Sequence, residues 1–432
     1  MTAAQQTDEQ MLEQVERETF EYFLRETNPD TGLVSDSTQP GWPCSITATG
    51  LALSAYPIGV ERGFCSRADA LGRTLKTLRF FAGSTQSDAV DATGYRGFYY
   101  HFLDMKTGKR SWNAELSTID TTFLVAGMLA AAAYFQADTQ DEQAVRDLAD
   151  RLYHRIDWRW AQNGGPTVTM GWRPESGFLP YRWEGYDEAL LLYALALGSP
   201  SFAVPPEAYA SWLTSYIWKA AFGEEYVYAG PLFIHQLSHA WIDFRGIRDV
   251  YMRARGIDYF ENSRRATYVQ QRYAIANPMQ FARYGEHAWG ITAGDGPGPA
   301  TLKIHGVERQ FYGYLARGAP FGPDDGTLSP WAVVASLPFA PEIVLPTLRY
   351  FIDQIELKPD DSYGFEASFN AEFPDRSGNA HGWVSSWRYG LNQGPIVLMI
   401  ENYRSDLIWR LMRACPYIGT GLRRAGFEGG WL

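Results

Sequence analysis

Apolar positions recur along this chain at helical rather than strand spacing, and the recurrences fall into two kinds. Some segments carry a single apolar face. Leu12, Val15, Thr19 and Tyr22 or Phe23 mark one such face behind an acidic first turn. SRADALGRTLKTLRFFAG places Ser66 as an N-cap and Gly83 as a stop. DEQAVRDLADRLYHRID (141–157) and PPEAYASWLTSYIWKAAFG (205–223) are of the same kind, the second with proline in its first turn. Other segments are apolar nearly all round: ITATGLALSAYPIGV after Ser45, STIDTTFLVAGMLAAAAYF (117–135) and YDEALLLYALALG (186–198). A helix of that composition must be buried on every side.

The two kinds alternate. The stretch 235–255 pairs with 261–277, PWAVVASLPFA pairs with PEIVLPTLRYFIDQ, and GPIVLMIENYRSDLIWRLMR closes the series, giving about twelve predicted helices. Alternation of this sort suits two concentric rings of helices, because inner helices touch neighbours all round while outer ones face water on one side. The predicted fold is therefore all-α, an (α/α)6 toroid or double ring. Two Gly-, Pro- and Trp-rich stretches, 84–112 and 159–183, are expected to form short loop or strand inserts over its cavity. Nothing in the composition marks a linker, so residues 1–432 read as one domain. A stacked-helix solenoid is the competing architecture, but no motif of fixed period supports it.

Composition narrows the partners. The net charge of −11 and a pI near 5.2 argue against nucleic acid or an anionic membrane, both of which need concentrated Lys and Arg. No segment is long and apolar enough to span a bilayer. MTAAQQTDEQMLEQVERE lacks the basic and apolar regions of a signal peptide, which predicts a cytoplasmic protein, or a periplasmic one if the chain was trimmed. Cys44, Cys65 and Cys415 form no metal-binding pattern, and a Cys44–Cys65 bridge is the one pairing left open. The chain has 15 Trp and 26 Tyr against 24 Phe, a bias towards rings with a polar handle that favour half-wet surfaces.

Carboxylates and aromatics carry the candidate chemistry. Glu188 opens an otherwise apolar helix beside Trp183, Tyr186 and Tyr193, where burial would raise its pKa as a general acid requires. Glu115 and Asp120, at the mouth of another buried helix, are the candidate partner carboxylates, although Asp120 also suits helix capping. His235, His239 and Asp243 share helical spacing. Without the Glu of HExxH (Gln236 stands there) they read as a hydrogen-bonding cavity wall rather than a metal site. Trp172, Trp241, Trp289 and Phe311 are candidate sugar platforms, and Gln236, His239, Arg245, Arg264, Glu286, Asn392 and Gln393 candidate hydroxyl contacts. Asp324 and Asp325 read as turn residues. No cofactor signature or nucleophile elbow is present, which leaves glycosidic chemistry, where two acids suffice.

Long stretches resemble a known family: STIDTTFLVAG, GYDEALLLYALALGSP, GPLFIHQLSHAWIDFRGIRD, GIDYFENSRRATY, YGEHAWGITAGDGP, SLPFAPEIVLP and QGPIVLMIENYRSDLIWRLMR. Together they span residues 115 to 432 nearly throughout, and they are similar to the glucoamylase-like bacterial proteins, more closely glycoside hydrolase family 144. The resemblance implies an (α/α)6 toroid and an inverting β-1,2-glucanase, endo-acting or sophorose-releasing, working without cofactor as a monomer on a β-glucan. It places the family's acid on Glu188. Transglycosylation of β-1,2-glucan, or glycan binding without turnover, are the alternatives it leaves. Two departures stand out: Asn392 replaces an Asp expected in IDQGP, and Ala367 replaces one expected before Ser368, Phe369 and Asn370. The base would then fall on Glu115, Asp120 or a relayed water.

Overall fold

Hydrophobic periodicity becomes a mainly helical protein in a computed structural model that describes residues 6–359, 363–374 and 381–432. The helices are α1 (Asp8–Arg25), α2 (Ile46–Glu61), α3 (Arg67–Gly83), α4 (Thr118–Tyr134), α5 (Gln140–His154), α6 (Trp158–Gln162), α7 (Leu190–Gly198) and α8 (Pro206–Leu213). There follow α9 (Val250–Arg255), α10 (Tyr259–Ala276), α11 (Pro330–Ala335), α12 (Pro341–Asp353), α13 (Gly390–Ser405), α14 (Leu407–Arg413) and α15 (Pro416–Arg424). Local chemistry sets many of the starts. Ser45, Ser66, Ser117 and Thr139 each accept an N–H of the first turn, and Thr7 with Gln10 forms a capping box.

The alternation seen in the sequence is the alternation of burial. α2, α4, α7, α11 and α13 are buried almost throughout, whereas α1, α3, α5 and α12 bury one face. One apolar core runs from α1 to α15. Where α2 crosses α4 the backbones touch: a Cβ on Gly127 would lie 1.9 Å from the Gly50 carbonyl oxygen. Only glycines allow that approach.

Small sheets decorate the helices. The two expected inserts join one five-stranded antiparallel sheet, in the order Gly94–Tyr95, Phe98–Tyr100, Leu116–Ser117, Gly171–Arg173 and Gly177–Phe178, with Leu116–Ser117 bridging them. A hairpin of Ala300–Ile304 and Val307–Phe311 was not anticipated.

Several expectations need correction. The stretch 235–255 is not one helix. It is two 3-10 turns, Leu232–His235 and Leu237–Ala240, then loop, then α9, so His235, His239 and Asp243 do not share a helix face. Side-chain bonding competes with the helix here. Gln236 sends its amide to the Ala332 carbonyl at 2.6 Å and to Ser336 at 2.8 Å, and Gly246 turns the chain at φ +76°. The 205–223 helix stops at Leu213, and Trp218–Ala221 instead pairs with Glu224–Val227. The last predicted helix breaks at Asp406 (φ +58°). Cys44, Cys65 and Cys415 are free thiols. No helix among the described residues is long and apolar enough to cross a membrane.

Candidate active site

Four buried helices bring their N-terminal ends to one polar cluster. Thr47 opens α2 and donates to Asp120 Oδ1, in the first turn of α4, at 2.6 Å. Ser117, the N-cap of α4, both accepts the Asp120 N–H and donates to Asp120 Oδ2 at 2.5 Å. Glu188 stands two residues before α7, its carbonyl accepting from Ser238 at 2.8 Å. Gly390, the first residue of α13, donates its N–H to the Asp36 carbonyl at 2.8 Å. Helix N-termini carry partial positive charge and suit the anions gathered here.

His101 links the carboxylates. Its Nδ1 lies 3.1 Å from Glu115 Oε1 and its Nε2 3.5 Å from Asp120 Oδ1. Burial works against a charged ring, but the Asp120 charge, the Glu115 hydrogen bond and the Asp36 charge outweigh it and carry the imidazole up to about 9. The His101 hydrogen bond correspondingly draws Glu115 down to about 2 despite burial, with Arg173 Nη2 a further 3.5 Å from the same carboxylate. Ligand atoms of His101, Glu115 and Asp120 lie close enough together to hold a metal ion. The same geometry lets a protonated ring pair with a carboxylate at each nitrogen, whereas a metal ligand would have to give up a ring proton.

Glu188, Asp187 and Asp36 hold their protons to higher pH than ordinary carboxyls. Burial, partly offset by its own backbone N–H and reinforced by the Asp120 charge, holds Glu188 up to about 7. Its neighbour Asp187 is pushed well above the carboxylate range by burial and then by the Glu188 charge. Asp36 is raised to about 6 by burial, with His101 opposing and Asp120 reinforcing the shift. No hydrogen bond to the Asp36 carboxylate is found among the described residues. Tyr314 is 68% exposed, yet burial and the charges of Asp36, Glu188 and Asp120 push its hydroxyl up to about 12. Both observations fit a ring standing free inside a walled cleft. The Asp295 carboxylate accepts from Ser385 at 2.9 Å and is hydrogen-bonded by Tyr389, so the cluster extends to that side.

The structure thus brings together Glu188, Asp120 and Glu115, and it adds Asp36, His101, Tyr314, Asp295 and Tyr389. Asn392 and Gln393 lie in the first turn of α13, beside the Asp36 backbone, and are buried. Gln393 Oε1 has no hydrogen-bond partner there. The 230–299 block contributes little else. Trp241 is fully buried, stacked on Phe123 and donating to Ser54 at 2.9 Å. Trp289 is fully buried and donates to Thr347 at 3.0 Å, and Phe311 packs edge-on against Phe373. None of these three rings is a sugar platform. Trp172 is half-buried against Tyr95 and Trp160 and pairs with Leu116, on the sheet face opposite Glu115 and Arg173.

Polar members of the block are likewise structural. Gln236 is spent on Ala332 and Ser336, and buried His239 meets Ser263 at 3.0 Å. Arg245 clamps Asp243 and Asp406 over the Trp409 ring. Arg264 faces Glu261 and Glu342 at the surface, and Glu286 is exposed. Asp325 is no simple turn residue: it forms a buried bidentate pair with Arg317, at 2.6 and 2.9 Å.

The chain is similar over nearly its whole length to proteins of known structure or activity. A curated exo β-1,2-glucooligosaccharide sophorohydrolase (non-reducing end) from Parabacteroides distasonis is 28% identical over 97% of this chain, which spans 58% of that relative's length. The endo-β-1,2-glucanase of Chitinophaga pinensis, solved with sophorotriose and glucose, superposes with a TM-score of 0.86 at 27% identity, covering 99% of this chain and 100% of that one. A β-1,2-glucanase from P. distasonis superposes with a TM-score of 0.85 at 27% identity, covering 97% of this chain and 60% of that one. The family model described as "Putative glucoamylase" matches residues 180–416. That match takes in more than half of the chain, and the chain belongs to this glucoamylase-like family.

Proposed function

We propose that the chain is a glycoside hydrolase of β-1,2-linked glucan, built as one (α/α)6 domain. The observation that carries the reading is a carboxyl, Glu188, at the start of a buried helix and held near neutrality beside the carboxylates Asp120 and Asp36. Glu188 protonates the glycosidic oxygen as the bond to the anomeric carbon breaks. A partner carboxylate takes a proton from the attacking water, and the product inverts. Asp120 and Asp36 are the partner candidates. Glu115, fixed by His101 and Arg173, is too weak a base and orients His101 instead. The substrate class rests on the relatives, which are named for β-1,2-glucan hydrolysis over nearly the whole of this chain.

The test is incubation of the purified protein with linear β-1,2-glucan, with product sizes read by chromatography and the first-formed anomer by NMR. Shortened α-configured products are expected, and Glu188→Gln should lower kcat by about 10²–10⁴-fold. Full activity in Glu188→Gln would overturn the assignment. Binding without turnover, or products longer than the substrate, would replace hydrolysis with a binding or transfer role.

A further inference from the structure

The rings expected to hold sugar are buried, but another set is not. Trp112 is 54% exposed and sits in a tight turn with φ +52°, followed by Asn113 at φ +51°. Neither residue is glycine, and two successive left-handed residues persist only where the surroundings hold them. Arg110 does so. It donates to the carbonyls of Ala114 (2.5 Å) and Asn113 (2.8 Å) while pairing with both oxygens of Glu175. The strain keeps a large apolar ring in water, which no folding argument requires.

That ring is also connected. Trp112 meets Trp42 edge-on at 5.0 Å and Phe102 at 5.0 Å. Phe102 stacks on His101 at 4.0 Å and 12°, and Trp42 contacts Tyr389, which bonds Asp295. A partly exposed aromatic wall therefore runs from the two sides of the carboxylate cluster outward to Trp112. Polar groups flank it on the Trp42 side: that ring shares a cavity of about 260 Å³ with Ser37, Thr38 and Gln39 and, beyond them, with Asn28, Arg25 and Glu26. Flat rings with hydroxyl and amide groups beside them fit a pyranose, whose C–H face is apolar and whose rim is hydroxylated.

We propose that Trp112 and Trp42 form a remote subsite that stacks a glucosyl unit of the glucan away from the bond being cleaved. This rests on the reading of the cleft as a glycosidase site. Glycan length is then sensed by the wall, and turnover chemistry by Glu188. The test is calorimetric titration in the Glu188→Gln background, with and without Trp112→Ala, using sophorose and a β-1,2-glucooligosaccharide of about eight units. Trp112→Ala should weaken octasaccharide binding about tenfold and leave sophorose within about twofold. Trp112→Phe, which keeps a flat ring, should recover most of the loss. Equal octasaccharide affinity with and without the Trp112 ring overturns the subsite. Failure of the Glu188→Gln protein to bind either sugar overturns the subsite together with the substrate reading. If the parent hydrolyses β-1,2-glucan while the Trp112 effect is absent, the subsite alone fails.

Discussion

Glu188 and Asp36 are ordinary carboxyls made unequal by their surroundings, and the inequality predicts a pH profile. Glu188 must hold its proton to act, so kcat/KM should fall above about 7, the value to which burial and Asp120 raise it. If Asp36 is the base it must be ionised, so activity should rise through about 6. A narrow bell between these limbs is expected for the free enzyme. Asp36→Asn should remove the acidic limb, while Asp120→Asn, which deletes a charge opposing Glu188 ionisation, should move the basic limb to lower pH. A basic limb that stays in place in Asp120→Asn would contradict the coupling. Glu188 was legible in the sequence because a carboxylate at the start of an apolar helix has few reasons to exist. Asp36 and His101 were not, since SDSTQP and YYHFL carry no pattern, and only strand pairing brings them to the helix ends.

Helices position these residues, and their spacing is set where they cross. At Gly127 a side chain would strike the Gly50 carbonyl, so Gly127→Ala must separate α2 from α4 and move Thr47 relative to Asp120. A loss of about 1–3 kcal/mol is expected from overpacking, read as a lower midpoint in chemical denaturation, with activity falling as well. A variant as stable as the parent would show that the crossing can slide. The same scale explains the failed 235–255 helix. Its spacing was helical, but Gln236, His235 and Asp243 found partners outside the stretch, in Ala332 and Ser336, Ala229 and Arg413, and local periodicity says nothing about such partners.

Across the whole molecule, the segment carrying Tyr314 is fastened by a buried ion pair. Arg317 binds Asp325 through two bonds and also takes the carbonyls of Gly294, Tyr312 and Gly313. Arg317→Ala would strand a buried carboxylate, at a cost of about 3–5 kcal/mol. Burial alone would raise Asp325, but the Arg317 hydrogen bond and charge hold it below the usual carboxylate range. A depressed carboxylate stabilises the fold above its unfolded pKa, and that contribution is lost as pH falls. The stability gap between parent and variant should therefore be widest near neutral pH and narrow in acid. A gap that is constant with pH would deny the pair its electrostatic role.

The amino-acid sequence by itself determined where buried and one-faced helices alternate, which helix starts carry Glu188, Glu115 and Asp120, and that acidic chemistry without a cofactor motif was at hand. Those properties are local, because periodicity, caps and a lone acid in an apolar run can each be read within one segment. Only the tertiary structure decided which rings face water. Trp241 and Trp289 look identical in sequence to Trp112, yet the first two meet apolar neighbours from other helices and the third is held outward by Arg110. Exposure depends on residues far away in the chain, and so does the pKa of every group in the cleft.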